Sequence, residues 1–269
     1  MTVLIVASEK DPAALNIASS LVRDYGFDRS AEYPDPRILR KDDVLLAWVK
    51  EESIYAETVD SLATVTAVIF ASKHTSEKGD PGLTVHCTGN VLDEAPYGGK
   101  PRSLALAEPS RMRAALLSLS ESREELGLPY LVSLEATHHG PTELPVPSMF
   151  VEIGSSAKQW EDPAAGKAVA RAIWTAATRP SDGIPAVGFG GGHYSWKHTE
   201  AVVKDRFALG HILSKYFFQS YHPAIVELAF RRTVGDCSHA VIDKKGMRGA
   251  ERSILVEFLK KSGRDVVMI

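Results

Sequence analysis

Short apolar runs at residues 3–7, 44–49, 65–71, 83–86, 131–135, 149–153, 184–189 and 266–269 recur along this chain, and segments of helical period fall between many of them. Runs of that length suit strands. A chain that alternates strands with helices is committed to a layered α/β fold, because parallel neighbours need a crossover and a helix supplies it. Asp11 followed by Pro12 joins an N-cap carboxylate to a residue preset for the first helical turn. Residues 109–126 form a helical run closed by Gly127, Asp162-Pro163 opens another to about residue 177, and residues 221–232 and 249–261 are further helical candidates. The pattern predicts a three-layer αβα protein around a mostly parallel or mixed sheet. Hairpin signals are few, and no repeat, low-complexity tract or flexible linker divides the chain, so residues 1–269 read as one domain with a weak sub-boundary near 178–183.

A chain of 269 residues that is 44% hydrophobic and 24% charged can bury a full core. No apolar run approaches the ~20 residues a membrane span requires, and a strand begins directly after Met1. The expectation is a cytoplasmic protein without signal peptide or membrane helix. Only Cys87 and Cys237 are present, in no metal or redox spacing, and no glycosylation sequon occurs, which suits a reducing compartment. A net charge of −3 gives no global basic bias, so nucleic-acid binding would need a local patch. Lys244, Lys245 and Arg248 offer one, and Arg231-Arg232 a smaller one, although charge runs more often mark solvated loops.

The chemistry concentrates in Glu135-Ala-Thr-His-His-Gly-Pro-Thr142, where a carboxylate and two imidazoles follow an apolar strand and Gly140-Pro141 ends regular structure. Open α/β sheets place their sites at such strand ends. Adjacent His138 and His139 should point to opposite sides of an extended chain, so one faces the site and the other supports it unless the backbone turns. Ser72, Lys73 and His74 follow another strand. Glu152 sits among apolar neighbours, where a charge needs a cation, a metal or a proton-sharing partner; a buried salt bridge to arginine would also serve. Gly190, Gly191 and Gly192 precede His193 and could present backbone amides to an oxyanion or phosphate. The stretch lacks the spacing of a dinucleotide fingerprint and the Lys-Ser/Thr of a P-loop. His86 and His211 read as packed core histidines. There is no HExxH motif, so any zinc site drawn from His74, His138 or His139, His193, Glu135 and Glu152 must assemble in space.

Taken together, Phe70-Ala-Ser-Lys-His-Thr-Ser76, Leu83-Thr-Val-His-Cys-Thr-Gly-Asn90, the Glu135–Thr142 stretch, Phe150-Val-Glu-Ile-Gly-Ser-Ser156, Gly190-Gly-Gly-His-Tyr194 and Gly210-His-Ile-Leu213 resemble the archaeal and plant type of D-aminoacyl-tRNA deacylase. Lys245-Gly246 and Glu251-Arg252 extend the likeness to the C-terminal part. The resemblance implies hydrolysis of the ester between a D-amino acid and the tRNA terminal ribose, zinc as cofactor, and a phosphorylase/hydrolase-like core. It carries no settled catalytic set. The residues themselves nominate Glu135, His138, Glu152 and His193 as catalytic, His74 and His139 as metal ligands, and Ser72, Lys73, Gly190, Gly191, Gly192, Lys244, Lys245 and Arg248 as substrate-binding. A monomer without an obligate protein partner is expected. Two alternatives use the same residues: a zinc-dependent hydrolase or phosphorylase-like enzyme acting on a small molecule, and a non-catalytic tRNA-binding module with a structural metal.

Overall fold

The computed structural model describes residues 2–269. Its strands are β1 (Val3–Ser8), β2 (Ile38–Lys41), β3 (Val44–Val49), β4 (Ala67–Thr75), β5 (Gly82–His86), β6 (Gly89–Asn90), β7 (Ser103–Leu104), β8 (Leu131–Leu134), β9 (Ser148–Ser155), β10 (Ile184–Phe189), β11 (Phe207–Leu213), β12 (His239–Ile242) and β13 (Asp265–Met268). Its helices are α1 (Pro12–Tyr25), α2 (Pro109–Glu125), α3 (Ala157–Trp160), α4 (Pro163–Thr178), α5 (Trp196–Lys204), α6 (Pro223–Arg231) and α7 (Gly249–Lys261).

Among the described residues two main sheets share the chain, beside a two-stranded antiparallel pair of β6 and β7. The larger has the order β2-β3-β1-β4-β9-β5-β8, with β3, β1, β4 and β9 parallel, β2 antiparallel to β3, and β5 antiparallel to β9 but parallel to β8. The smaller, β11-β10-β12-β13, is wholly parallel. One core lies between the larger sheet and α1, α2 and α4; a second, around the stacked Phe70 and Phe150 rings, fills the opposite face under the turns at 53–55 and 59–62. Helices α6 and α7 cover the smaller sheet. The αβα layering and the mixed sheet agree with the sequence pattern; the division into two sheets was not anticipated.

Strands absent from that pattern are short or interrupted. In β11, Gly210-His211 breaks an otherwise apolar run, and β12 has only four residues. Strand β4 runs on through Ser72, Lys73 and His74, which the sequence placed beyond its end, because it pairs with β9 residue for residue as far as Thr75 opposite Ser155. Polar residues therefore enter the sheet itself, and the site begins there.

Asp11 links helix to site. One carboxylate oxygen accepts from the amides of Ala13 (2.9 Å) and Ala14 (3.1 Å), capping α1, while the other accepts from the Lys73 amide (2.8 Å) and the Ser72 hydroxyl (3.3 Å). The N-cap read from the sequence thus also anchors the C-terminal part of β4. Among the described residues no helix is long and apolar enough to cross a membrane.

Candidate active site

The two sheets abut along the segment after β8. Glu135 bridges Tyr194, the Ala136 amide donates to His193 O (2.8 Å), and the Thr137 amide donates to Ile212 O (2.9 Å). His211 is the buried strut beneath this seam: its ring nitrogens lie 3.2 Å from Thr137 Oγ1 and 3.1 Å from Ala105 O, and burial pushes its pKa down to about 4, as suits the packed residue the sequence suggested. The seam draws His74 from β4, His86 from β5, Glu135, His138 and His139 from the segment after β8, Glu152 from β9 and His193 from the loop after β10 into one cluster.

Glu135 is its centre. The side chain is fully buried; His74 Nδ1 lies 3.2 Å from Oε1, and His193 Nε2 and His138 Nε2 lie 3.2 and 3.8 Å from Oε2. Neither oxygen has an aligned hydrogen bond among the described residues, so these contacts are ion-pair distances without hydrogen-bond angles. Glu152 stands opposite Ser72 on β4 and Thr84 on β5, and its Oε2 accepts from Thr84 Oγ1 (3.3 Å) and faces His74 Nδ1 (3.5 Å) and His86 Nε2 (3.6 Å). Burial pushes its carboxyl upward, but the two imidazoles outweigh that and hold it well below the usual range. Burial likewise acts to lower His74 and His86, and the glutamates overcome it and raise both. Imidazoles, not an arginine, meet this buried charge.

Two expectations require correction. His139 adopts a left-handed backbone (φ 45°), which for a residue with a Cβ costs about 1–2 kcal/mol and turns the chain. The rings of His138 and His139 therefore lie on the same side, 4.4 Å apart, and pack on His86 at 4.3 and 4.9 Å, instead of dividing between site and scaffold. His86 is not a satisfied core histidine, because its buried Nε2 has no hydrogen-bond partner among the described residues and faces the cluster. Its alternation in β5 was legible, but the partner on β9 was not. Tyr194 was also missed; its hydroxyl is 2.7 Å from His74 Nε2.

A cavity of about 510 Å³ opens onto the cluster, walled by Ser72, Lys73, His74, His138, Glu152 and His193, with Tyr97 at its rim. Glu135 lies behind that wall. His138 and His139 keep neutral rings: burial, then neighbouring imidazoles, pushes His138 well down and His139 to about 4. Each donates Nδ1–H to a backbone carbonyl, His138 to Ala136 O (2.7 Å) and His139 to Gly140 O (2.6 Å), which leaves its Nε2 lone pair available. Gly154, opposite His74 on β9, makes room for that ring, since a Cβ there would come 2.8 Å from His74 Cδ2. Gly154→Ala is expected to displace His74 and lower turnover by about 10- to 100-fold, as small misplacements of site groups do, while the unfolding midpoint moves little; steady-state kinetics beside thermal unfolding checks this.

Two of the three glycine amides expected to hold an oxyanion are already occupied. Gly190 N donates to Leu213 O (2.9 Å) and Gly191 N to Gly246 O (2.9 Å), so both are spent on tying loops together. Gly191, Gly192, Lys244, Lys245 and Arg248 wall a separate cavity of about 930 Å³ beyond His193 rather than the His/Glu chamber.

Fold and chamber define a layered α/β protein with a buried centre of imidazoles and carboxylates able to hold a metal ion or move protons. A family model described as D-aminoacyl-tRNA deacylase matches residues 62–267. Proteins named D-aminoacyl-tRNA deacylase from Pyrococcus furiosus and Staphylothermus marinus are 36% and 37% identical to this chain, over 98% and 96% of both partners. The crystal structure of a conserved protein of unknown function superposes with a TM-score of 0.90 at 32% identity, covering 99% of this chain and 95% of the other. This chain belongs to the D-aminoacyl-tRNA deacylase family.

Proposed function

We propose that the protein hydrolyses the ester between a D-amino acid and the terminal ribose of tRNA, releasing both and clearing tRNA charged with the wrong enantiomer. The observation that carries this reading is the pairing of half-exposed His193 with the fully buried Glu135, 3.2 Å away, at the wall of a chamber in a chain of this family.

An aminoacyl ester is already activated, so the protein must position water, take its proton and return that proton to the leaving group. The Glu135 carboxylate, 3.2 Å from His193 Nε2, favours the tautomer with its proton on Nε2, which leaves Nδ1 unprotonated as the base. The water oxygen bonds to the ester carbonyl carbon while His193 Nδ1 takes its proton, and Glu135 stabilises the imidazolium. The ribose oxygen then leaves with that proton. Lys73, on the chamber wall, offers its ammonium to the aminoacyl end and its ribose, and Ser72 beside it, its hydroxyl turned to Asp11, can accept from them.

The chamber fits zinc. Ligand atoms of His86, His138 and His139 lie within 4.8 Å of one another, His86 Nε2 is buried without a partner, and backbone carbonyls already orient the other two rings, as zinc imidazoles require. Bound there, zinc would supply Lewis acidity toward water or the ester carbonyl. His74, with Glu135 and His193, forms a second triple of the same span, so the two histidines named from sequence as ligands fall in different groups. Chiral choice then lies with a chamber wall that refuses the L side chain.

Purified protein is expected to release tyrosine from D-tyrosyl-tRNA far faster than from L-tyrosyl-tRNA, to lose that activity on chelation and to regain it with zinc. Equal rates on the two esters would overturn the chiral reading. Full activity after metal removal would leave His193 and Glu135 as the whole catalyst.

A further inference from the structure

The larger cavity, beyond His193, has no part in the chemistry described above. It sits at the C-terminal ends of β10, β11 and β12, where parallel sheets present loops to ligands. Lys197, Lys215, Lys244, Lys245 and Arg248 wall it, against the side-chain carboxylates of Asp243 and Glu251. Asp243 is occupied, its Oδ1 accepting from the amides of Lys245 (3.0 Å) and Gly246 (2.9 Å), and Glu251 accepts from the Arg248 amide (3.1 Å). In a chain of net charge −3 this is a local excess of positive charge. Tyr216, half exposed, adds an aromatic face at the rim, with the Lys215 ammonium 5.3 Å from its centroid.

The wall is built, not incidental. Gly191 N donates to Gly246 O and Lys215 N donates to Gly191 O, both at 2.9 Å, so the loops after β10, β11 and β12 hold one another in place. A side chain at Gly246 would collide with the Gly191 amide, which explains a glycine at that crossing. Gly192 lines this cavity and its neighbour His193 lines the chamber, so the two adjoin at one peptide.

We propose that this cavity is the subsite for the single-stranded 3′ end of the RNA substrate: the lysines and Arg248 take the phosphodiester backbone just upstream of the esterified nucleotide, and Tyr216 stacks one of its bases. A cationic groove beside an exposed aromatic ring is the combination that holds single strands without reading sequence, and the chamber takes the terminal aminoacyl ester. The assignment rests on the deacylase reading for the identity of the RNA, and on the cavity alone for its chemistry.

The test compares wild type with Lys244→Gln/Lys245→Gln and with Tyr216→Ala on two esters, D-tyrosyl-tRNA and D-tyrosyl-adenosine, which lacks every upstream nucleotide. The preference for the tRNA over the nucleoside ester is expected to fall at least ~10-fold in each variant, through KM. The slope of log(kcat/KM) against log[salt] on the tRNA should flatten by about 1.4 for the double variant, two single-strand phosphate contacts' worth. An unchanged preference and salt slope overturn the subsite, whatever the activity. Binding of a single-stranded RNA ending in ACCA, read by fluorescence anisotropy, is independent of catalysis. Wild-type binding that weakens in both variants supports the subsite even if no ester is cleaved, whereas AMP or inorganic phosphate competing as well as the oligonucleotide overturns a strand-tracking site.

Discussion

Glu135→Gln is expected to lower turnover of D-tyrosyl-tRNA by about 10³-fold and not to lower the unfolding midpoint. The two side chains have nearly the same volume, so the packing around position 135 is kept. What changes is the sign of the contact 3.2 Å from His193 Nε2. A carboxylate accepts a proton there and favours the imidazolium; a glutamine NH₂ donates into Nε2, imposes the other tautomer and removes the base from the chamber. Stability should not suffer, because both Glu135 oxygens are buried without aligned hydrogen bonds, a costly condition that the neutral amide relieves. Circular dichroism melts beside single-turnover kinetics measure both halves. A loss of activity accompanied by a large drop in midpoint would make Glu135 a structural residue.

His138→Ala and His193→Ala are each expected to cost at least ~100-fold in turnover with the fold intact. The two differ in what accompanies the loss. His138 belongs to the imidazole triple with His86 and His139, so its removal should also deplete bound zinc, measured by atomic absorption on the purified variant. His193 is about two-fifths exposed at the chamber wall and is assigned the proton, so its variant should lose turnover while keeping zinc bound at the His86 triple. Near-native turnover in both variants would remove the proposed site. Zinc lost from the His193 variant alone would move the metal to the triple of His74, Glu135 and His193.

Much of the site was legible before folding because its residues are expensive. Glu152 among apolar neighbours, and the paired histidines after a buried run, announce that something must compensate them, and the structure answers with His74 and His86 on Glu152 and with the carboxylate of Glu135 among three imidazoles. The glycine loop misled for a related reason: freedom from a Cβ was visible, but whether the amides were spare depended on Leu213 and Gly246, far along the chain.

The sequence by itself determined the alternation of strands and helices, the capped starts of α1 and α4, and the residue types of the centre, all consequences of local periodicity and of the cost of burying charge. Only the tertiary structure decided which of those residues meet. The pairing of β9 with both β4 and β5 brings Glu152 to His74 and His86, and the left-handed turn at His139 collects two rings on one side. The seam between two sheets sets His193 against Glu135, and tied loops place the basic cavity one peptide from the chamber. Periodicity reports which face of an element is buried; which strand lies beside it depends on long-range pairing that leaves no local mark.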